Sequence, residues 1–455
     1  MINVLIVGRG KYALSIARLF RNSCMEKNQL RILLATTVTL DFGLVSRYVH
    51  KNFVIPRPDK SVHHFIDSLT QIIQNNAVHL IVPGAEEIFY VVKHKSRLPA
   101  CKIFAPNKFE LLNEVHNKYL FQLLLSEIGL KNLPSYMCSS IEEIFQQMQL
   151  FKDIGILRCI LKPVYSRGGL DAVVCNSTSD LLEQKKYQKL LVSEENPYVI
   201  QPFVDGLHLS TFSVAIDGNV LFHTCYRTLL PFKGFGTIRE EVDDKELFKW
   251  CTKFAKATKY TGHIGFDFIR GHIGTTGSSF HRRGTVAEIE ESMTLYAIEC
   301  NPRTTNGLDI LSLKHEKVIW QAYMRFLGEI PFNEKNAKGS TTNEKLYVKN
   351  NNYYIRLRTT VPSIMAIMKV GGLQDTVDSL KLAFFDSKDD MFWWTDPLPF
   401  GLMIFRAFVQ FFASLWMLAI EGIPLAKSAV QSLKNELVVF PPTKSNDRNP
   451  AKGEN

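Results

Sequence analysis

The chain has 455 residues, of which 46% are hydrophobic and 22% charged, as in an ordinary globular protein with two or three domains. Its formal net charge of +10 suits an anionic partner such as a nucleotide, an acidic substrate or a negatively charged membrane surface. Because no stripe alternates Lys or Arg with aromatic residues, we exclude nucleic acid as a partner.

Strand-like and helix-like patterns alternate over roughly the first hundred residues. Residues 2–7 form a continuous apolar run, residues 31–37 and 79–83 repeat this character, and helical periodicity separates these runs. The pattern predicts a doubly wound parallel sheet in a Rossmann-like domain at residues 1–112.

A glycine-containing turn, Gly8-Arg9-Gly10, follows the first predicted strand and suggests dinucleotide binding. Glycines at this point let a pyrophosphate approach the N-terminus of a helix. A dinucleotide site also needs an acidic residue at the end of the second strand to bind the ribose, and residues 35–39 supply none. We therefore favour a structural turn over a dinucleotide site.

A second domain of mixed α and β structure is expected at residues 113–332. An amphipathic helix is predicted from Glu114 to Ile128, and strand patterns dominate residues 154–301, with a hairpin turn at 217–219. A C-terminal region is expected at residues 333–440, beginning with a polar linker, and a disordered tail at residues 441–455.

Three oxygen-bearing side chains lie on two predicted neighbouring strands. Glu299 and Asn301 are two residues apart, so both project from one face of their strand, and Ile298 and Cys300 are expected to face the core. Asp267 likewise points away from the phenylalanines beside it. Mg²⁺ accepts carboxylate and amide oxygens and keeps water or phosphate for its other positions. These three residues are therefore the predicted metal ligands.

The two predicted strands resemble those of a known family. Residues 262–269, together with residues 297–303 ending in Asn301-Pro302-Arg303, resemble the paired C-terminal strands of ATP-grasp enzymes, and the Asn-Pro-Arg ending is seen in carbamoyl phosphate synthase large chains. The resemblance extends from residue 1 to about residue 309. It implies an α/β and α+β fold: a Rossmann-like pre-ATP-grasp domain, an ATP-grasp domain and an extra C-terminal helical region.

The same resemblance implies ATP and two Mg²⁺ ions, or Mn²⁺ in their place, as cofactors. Lys118 resembles the first ATP-binding lysine of the family and Lys162 the second. Other implied ATP-binding residues lie in a glycine-rich loop (Ser166, Gly168, Gly169) and in the hinge that pairs with adenine (Gln201, Pro202, Phe203, Val204). His208 stands where family members often have a ribose-binding glutamate.

Three arginines are candidates for binding the substrate or the transferred phosphate. Arg303 follows the metal strand and is suited to paired hydrogen bonds with a phosphate or a carboxylate. Arg227 and Arg239 flank or belong to a predicted loop at residues 233–239 and are candidate carboxylate anchors, with an ordinary structural role equally open.

These resemblances imply an ATP-dependent carboxylate-amine ligase, which forms an amide through an acyl phosphate and releases ADP and phosphate. Its partners would be a small-molecule carboxylate and an amine. Two alternatives stay open: carboxyphosphate and carbamate chemistry like that of carbamoyl phosphate synthase, and a membrane-associated nucleotide-binding protein without ligase activity.

The apolar stretch at residues 398–420 has Arg406 as its only charged residue and must be compared with a membrane span. Arg406, Gln410, Ser414 and Glu421 recur at helical spacing and form a narrow polar stripe. This pattern favours packing on protein, including a homo-oligomer partner, over peripheral membrane contact, and a span least of all.

The cellular location is predicted from the cysteines and the N-terminus. The eight cysteines have neither CxxC pairs nor zinc-ligand spacing, so we expect buried, reduced thiols. Residues 1–7 lack the basic region and the long apolar core of a signal peptide. We therefore expect a cytoplasmic protein, with membrane association left open by residues 398–420.

Overall fold

The computed structural model describes residues 1–24, 29–166, 171–183, 190–232, 235–273, 293–315, 319–328, 356–358, 373–384, 387–389 and 395–405. The predicted linker, the predicted disordered tail and residues 406–420 of the apolar stretch lie outside these ranges.

A parallel sheet with helices on both faces forms the N-terminal part. Its strands are β1 (Ile2–Val7), β2 (Leu30–Thr36), β3 (Lys51–Val54), β4 (Leu80–Pro83) and β5 (Lys102–Ile103), and its helices are α1 (Gly10–Ser23), α2 (Val62–Asn75) and α3 (Glu87–Lys93). The strand order is β3-β2-β1-β4-β5, so the order reverses between β1 and β4. Val4 and Ile6 pack with α1 on one face, while Leu5 and Val7 pack with α2 on the other. Burial on both faces explains the apolar run, and the predicted doubly wound sheet is confirmed.

The single helix predicted from Glu114 to Ile128 is two helices, and in this respect the prediction was wrong. Helix α4 (Phe109–His116) ends at Asn117, and α5 (Lys118–Glu127) begins directly after it. The Asn117 side chain accepts hydrogen bonds from the backbone NH groups of Tyr119 and Leu120, so it caps α5. This cap places Lys118 in the first turn of α5.

A small antiparallel sheet follows. Its strands are β6 (Tyr136–Cys138), β7 (Cys159–Pro163), β8 (Val173–Cys175) and β9 (Tyr198–Pro202), with α6 (Ile141–Asp153) and α7 (Thr178–Glu183) packed on it. The order is β6-β9-β7-β8, which places β7, the strand of Lys162, between two neighbours.

The largest sheet has the order β14-β13-β10-β11-β12-β15-β16. Its strands are β10 (Val204–Ile216), β11 (Asn219–Phe232), β12 (Phe235–Val242), β13 (Gly262–Ile273), β14 (Thr294–Asn301), β15 (Arg356–Arg358) and β16 (Lys388–Asp389). Asp217 and Gly218 have positive φ and form the predicted hairpin turn between β10 and β11. The loop predicted at residues 233–239 is wrong for its described part, because residues 235–239 belong to β12, which pairs with β11.

Helices cover both faces of this sheet. Helix α8 (Lys245–Thr258) packs on one face through Trp250 and Phe254. Helices α9 (Gly307–His315) and α10 (Ile319–Leu327) lie on the other face and share a core with α1, where Phe20 makes edge contacts with Trp320 and Tyr323. This shared core joins the N-terminal sheet to the largest sheet.

The C-terminal region adds helix α11 (Leu373–Phe384) and helical residues 398–405. Asp396, just before the latter helix, is buried and forms an ion pair with Arg18 of α1 at 3.2 Å. Met403 is buried against Leu14. Among the described residues, no helix is long and apolar enough to cross a membrane. The oligomer and membrane-contact alternatives for residues 398–420 stay predictions.

Candidate active site

A row of polar side chains crosses one face of the largest sheet. Asp267 pairs in register with Glu299 on one side and with Ser210 on the other, and Ser210 pairs with Tyr226. Residues opposite each other on neighbouring strands project from the same face. The Ser210 hydroxyl donates to Asp267 Oδ1 at 2.7 Å, and Asn301 Nδ2 donates to Asp267 Oδ2 at 3.1 Å. The three predicted metal ligands therefore lie together.

A β-bulge interrupts the strand alternation beside this row. The register of β13 and β14 shifts between Asp267 and Phe268, so Ile298 of β14 is left without a partner. Cys300 faces the α8 core as expected, but Ile298 packs with the separate cluster around Tyr296. The expectation that Ile298 and Cys300 share a face was wrong, because the extra residue breaks the period of two.

The electrostatics of the row fit a divalent cation. Burial and the Glu299 carboxylate both raise the pKa of Asp267, because two negative charges are held together away from water. Within the described part of the chain, no group of three His, Cys, Asp or Glu side chains could hold a metal ion. Two carboxylates and an amide nevertheless suit Mg²⁺, which takes few protein ligands. The Asn301 amide would have to turn for its oxygen to face a cation.

Arg303 connects the row to the N-terminal sheet. Its Nη2 donates to Asn301 Oδ1 at 2.9 Å, and its Nε lies 2.7 Å from Glu86 Oε1. The guanidinium also lies 5.7 Å from the centre of the Tyr12 ring. Only 6% of Arg303 is exposed, so these contacts hold the guanidinium in one position beside the predicted metal ligands.

The two predicted phosphate-binding lysines lie on the elements facing this row. Lys118 is buried, and its Nζ donates to the carbonyl of Ser166 at 3.0 Å. Lys162 Nζ donates to Gln201 Oε1 at 3.2 Å. Burial and the charge of Lys118 lower the pKa of Lys162 to about 8, while Glu299 and Asp267 oppose this change. Two ammonium groups that repel each other fit a site for an anion.

The predicted hinge and loop are described in part. Gln201 is buried and bridges Lys162 to the Ser135 hydroxyl, to which it donates at 2.8 Å. The Phe203 backbone NH donates to the Arg158 carbonyl, so this NH is already used within the protein. Pro202 ends β9 and Val204 begins β10, while Gly168 and Gly169 lie outside the described residues.

His208 lies on β10 in register with Ile269. Partial desolvation of its ring and the nearby Lys162 charge lower the pKa of His208, with Asp205 opposing the change. The imidazole on the largest sheet therefore lies near Lys162 of the small sheet.

The candidate arginines Arg227 and Arg239 project from opposite faces of the sheet. Arg227 is in register with Glu240 and forms an ion pair with it at 2.6 Å. Arg239 precedes Glu240 on β12, so it projects from the other face, which also carries Tyr226 and the metal row. The structure therefore brings Arg239, but not Arg227, to the candidate site.

The glycine turn after β1 lies at the point where the strand order reverses. The Gly10 backbone NH donates to Asp41 Oδ2 at 2.7 Å, and Asp41 is buried. This NH, which a bound pyrophosphate would need, is therefore satisfied within the protein. The structure supports the structural turn over the dinucleotide site.

Several residues of the site were not predicted from the sequence. Glu86 follows β4 at the carboxyl end of the sheet, where ligands of such sheets bind, and this position was the signal available. Lys11 reaches α9 and forms an ion pair with Asp309 at 2.9 Å. Ser210 and Tyr226 belong to the site because the strand register aligns them with Asp267, and no sequence motif predicts this register.

Comparison with known proteins identifies the fold. No family model and no curated protein sequence matches the chain. Biotin carboxylase from Campylobacter jejuni is 18% identical with a TM-score of 0.55, over 73% of this chain and 72% of that one. The biotin carboxylase domain of Hydrogenobacter thermophilus 2-oxoglutarate carboxylase is 14% identical with a TM-score of 0.53, over 73% and 70%. The chain has the ATP-grasp fold.

A further ATP-grasp structure similar to this chain is N5-carboxyaminoimidazole synthetase from Staphylococcus aureus. It is 11% identical with a TM-score of 0.51, over 72% of this chain and 77% of that one. The ATP-grasp resemblance found in the motifs is thus confirmed for the fold.

Proposed function

We propose that this chain is an ATP-dependent carboxylate-amine ligase, which converts a carboxylate to an acyl phosphate and couples it to an amine with release of ADP and phosphate. The observation that carries the proposal is the convergence of unlike charges in one cleft. Asp267 and Glu299 on the largest sheet interact electrostatically with Lys162 on the small sheet, and Lys162 interacts with Lys118. Such a cleft suits a triphosphate with divalent cations.

Each group in the cleft has a role in this proposal. Lys118 and Lys162 would neutralise the phosphates, and Asp267, Glu299 and Asn301 would hold two Mg²⁺ ions. When bound, magnesium ATP supplies the phosphoryl group. Phosphoryl transfer needs mainly positioning and charge neutralisation, so no side-chain nucleophile is required.

Arg303 would orient the substrate carboxylate at the end of the metal row. Two contacts that do not involve Asn301 fix the guanidinium: Nε lies 2.7 Å from Glu86 Oε1, and Nη1 donates to the Thr304 carbonyl at 3.0 Å. A fixed, permanently charged fork suits a planar carboxylate or a phosphoryl group. Arg239 and Tyr226 lie on the same face and would line the substrate side.

The ligands of two similar structures support ATP and Mg²⁺ as cofactors. The Hydrogenobacter thermophilus structure is a complex with MgADP, ADP and bicarbonate, and the Campylobacter jejuni structure is a complex with β-γ-ATP. Both proteins share the fold of this chain.

The proposal is tested by ADP formation in the full-length protein with pooled carboxylates and amines. We expect Glu299→Gln to lower ADP formation by about 10²-fold or more, because it removes a charge that holds the metal. The matched control is Glu142→Gln in the first turn of α6, whose side chain is exposed. Full activity in Glu299→Gln would refute the site.

The two alternatives predict different results in the same assay. Carboxyphosphate chemistry requires ADP formation that depends on bicarbonate and needs no added organic carboxylate. A nucleotide-binding protein without ligase activity requires Mg-ATP binding with no turnover across the whole panel. Mass analysis of the products distinguishes an amide from a carbamate.

A further inference from the structure

A cavity of about 840 Å³ lies where the N-terminal sheet meets the β10–β11 hairpin. Its walls come from the segment around β5, from the hairpin and from the end of α10. They include Lys95, Leu98, Cys101, Lys102, Leu221 and Arg325. Ile216, which also lines the cavity, is six residues along β10 from Ser210, so the cavity is about 20 Å from the metal row. It is therefore separate from the candidate active site.

The charges lining this cavity are mainly positive. Lys95, Lys102 and Arg325 each come from a different element, while Asp217 is the only acidic residue among the described residues of the lining. Asp217 accepts a hydrogen bond from the Thr261 hydroxyl at 3.2 Å. Within the ranges that the structure describes, none of the three cations has a carboxylate partner at ion-pair distance. The cavity therefore attracts anions.

Apolar side chains, one of them an aromatic ring, form part of the remaining walls, beside the polar residues Ser96, Asn107 and Asn219. Leu98, Ile103 and Leu221 line the cavity together with Phe326. Lys102 Nζ lies 5.8 Å from the centre of the Phe326 ring, so a cation and an aromatic face are presented side by side. The volume is in the range of small-molecule sites, roughly 300–1,000 Å³.

We propose that this cavity is a second ligand site, which binds a small organic anion with an apolar or aromatic body. The anionic group would lie among Lys95, Lys102 and Arg325, and the body would contact Phe326 and Leu221. Because both the N-terminal sheet and the hairpin contribute walls, an occupied cavity would hold these two parts of the protein together.

Cys101 provides a reporter inside the cavity. It is partly exposed, whereas the other seven cysteines of the chain are buried. In the native full-length protein, the Cys101 thiolate should attack one sulfur of an aromatic disulfide reagent, forming a mixed disulfide and releasing one aromatic thiolate. We compare dianionic 5,5′-dithiobis(2-nitrobenzoate) with neutral 4,4′-dithiodipyridine and measure both rates. Their ratio cancels changes in the reactivity of the thiol itself.

The cation set is tested by a triple variant, Lys95→Gln, Lys102→Gln and Arg325→Gln. We expect its anionic-to-neutral rate ratio to fall about tenfold, since the charged walls no longer concentrate the anionic reagent. The matched control, Lys60→Gln, Lys131→Gln and Lys152→Gln, removes the same number of exposed positive charges elsewhere and should keep the ratio of the unaltered protein. An equal fall in both variants would mean a general charge effect and would overturn the proposal.

Occupancy is tested with 8-anilinonaphthalene-1-sulfonate, an aromatic anion. It should slow the reaction of Cys101 with the neutral reagent, and the protection should be lost in the Lys95, Lys102 and Arg325 variant. Protection must persist in saturating Mg-ATP, which separates this cavity from the cleft of the proposed ligase. Binding that leaves Cys101 fully reactive, or that Mg-ATP abolishes, would overturn the proposal whether or not the chain forms ADP.

Discussion

Lys162 gives nucleotide binding an expected pH dependence. Its pKa is lowered to about 8 by burial and by Lys118, and only the protonated form attracts phosphate. Affinity for a non-hydrolysable ATP analogue should therefore fall as the pH rises above about 8. The stability of the unliganded protein should rise over the same interval, because the unfolded chain still binds the proton there. Calorimetric titration from about pH 7 to about pH 9 measures the affinity.

The variant Lys162→Arg isolates this titration, because a guanidinium stays charged throughout the interval. Its affinity should be nearly independent of pH. Should Lys162→Arg keep the slope of the unaltered protein, the titrating group is another residue.

At the scale of single residues, motifs and strand alternation predicted from which face of a strand the side chains of neighbouring residues project. Glu299 and Asn301 could be placed on one face because they are two residues apart, and Asp267 because it lies between phenylalanines. The bulge at Ile298 could not be predicted, since it depends on the pairing of two strands. The ion pair between Arg303 and Glu86 likewise depends on how distant segments pack.

At the scale of elements, the cap at Asn117 determines where Lys118 lies. The sequence pattern favoured one continuous helix because the helical spacing of apolar residues persists past residue 117. In the structure the Asn117 side chain accepts hydrogen bonds from backbone NH groups, so a new helix begins there. For a related reason, the strand patterns of the sequence at residues 211–216 and 220–223 cover only parts of the long strands β10 and β11. The ends of β10 and β11 are stabilised by pairing with β13 and β12, and local propensity does not predict this pairing.

Asn117→Ala should therefore affect both stability and nucleotide binding. Loss of the cap should lower the free energy of unfolding by about 1 kcal/mol, and the frayed first turn should weaken the affinity for the ATP analogue. The matched control is Ser140→Ala, which removes the equivalent cap of α6, where Ser140 accepts from the Glu143 NH. It should lose similar stability in urea unfolding and keep the affinity. Equal loss of affinity in both variants would show a global effect.

At the scale of the whole molecule, the order of the sheets was predictable and their contacts were not. Alternation of strands and helices predicted the parallel sheet, and the strand-rich pattern of residues 154–301 predicted the mixed α and β structure after it. The attachment of the C-terminal region was missed, because Arg18 and Asp396 are 378 residues apart and neither belongs to a motif. Asp396 also accepts hydrogen bonds from the Ser46 hydroxyl at 2.7 Å and the Arg47 NH at 3.0 Å.

Asp396→Ala should release residues 395–405 from the N-terminal sheet. Burial lowers the pKa of Arg18 and Asp396 opposes this change, so removing the carboxylate leaves a buried guanidinium without its main stabilising charge. Breaking a buried pair in this way costs about 3–5 kcal/mol.

Asp67→Ala, which breaks the exposed pair with Arg97, should change the free energy of unfolding by less than about 1 kcal/mol. Urea unfolding gives both values, and hydrogen exchange should rise in residues 395–405 of the Asp396→Ala variant alone. Unchanged exchange there would mean that apolar contacts such as Met403 against Leu14, rather than the ion pair, hold the segment.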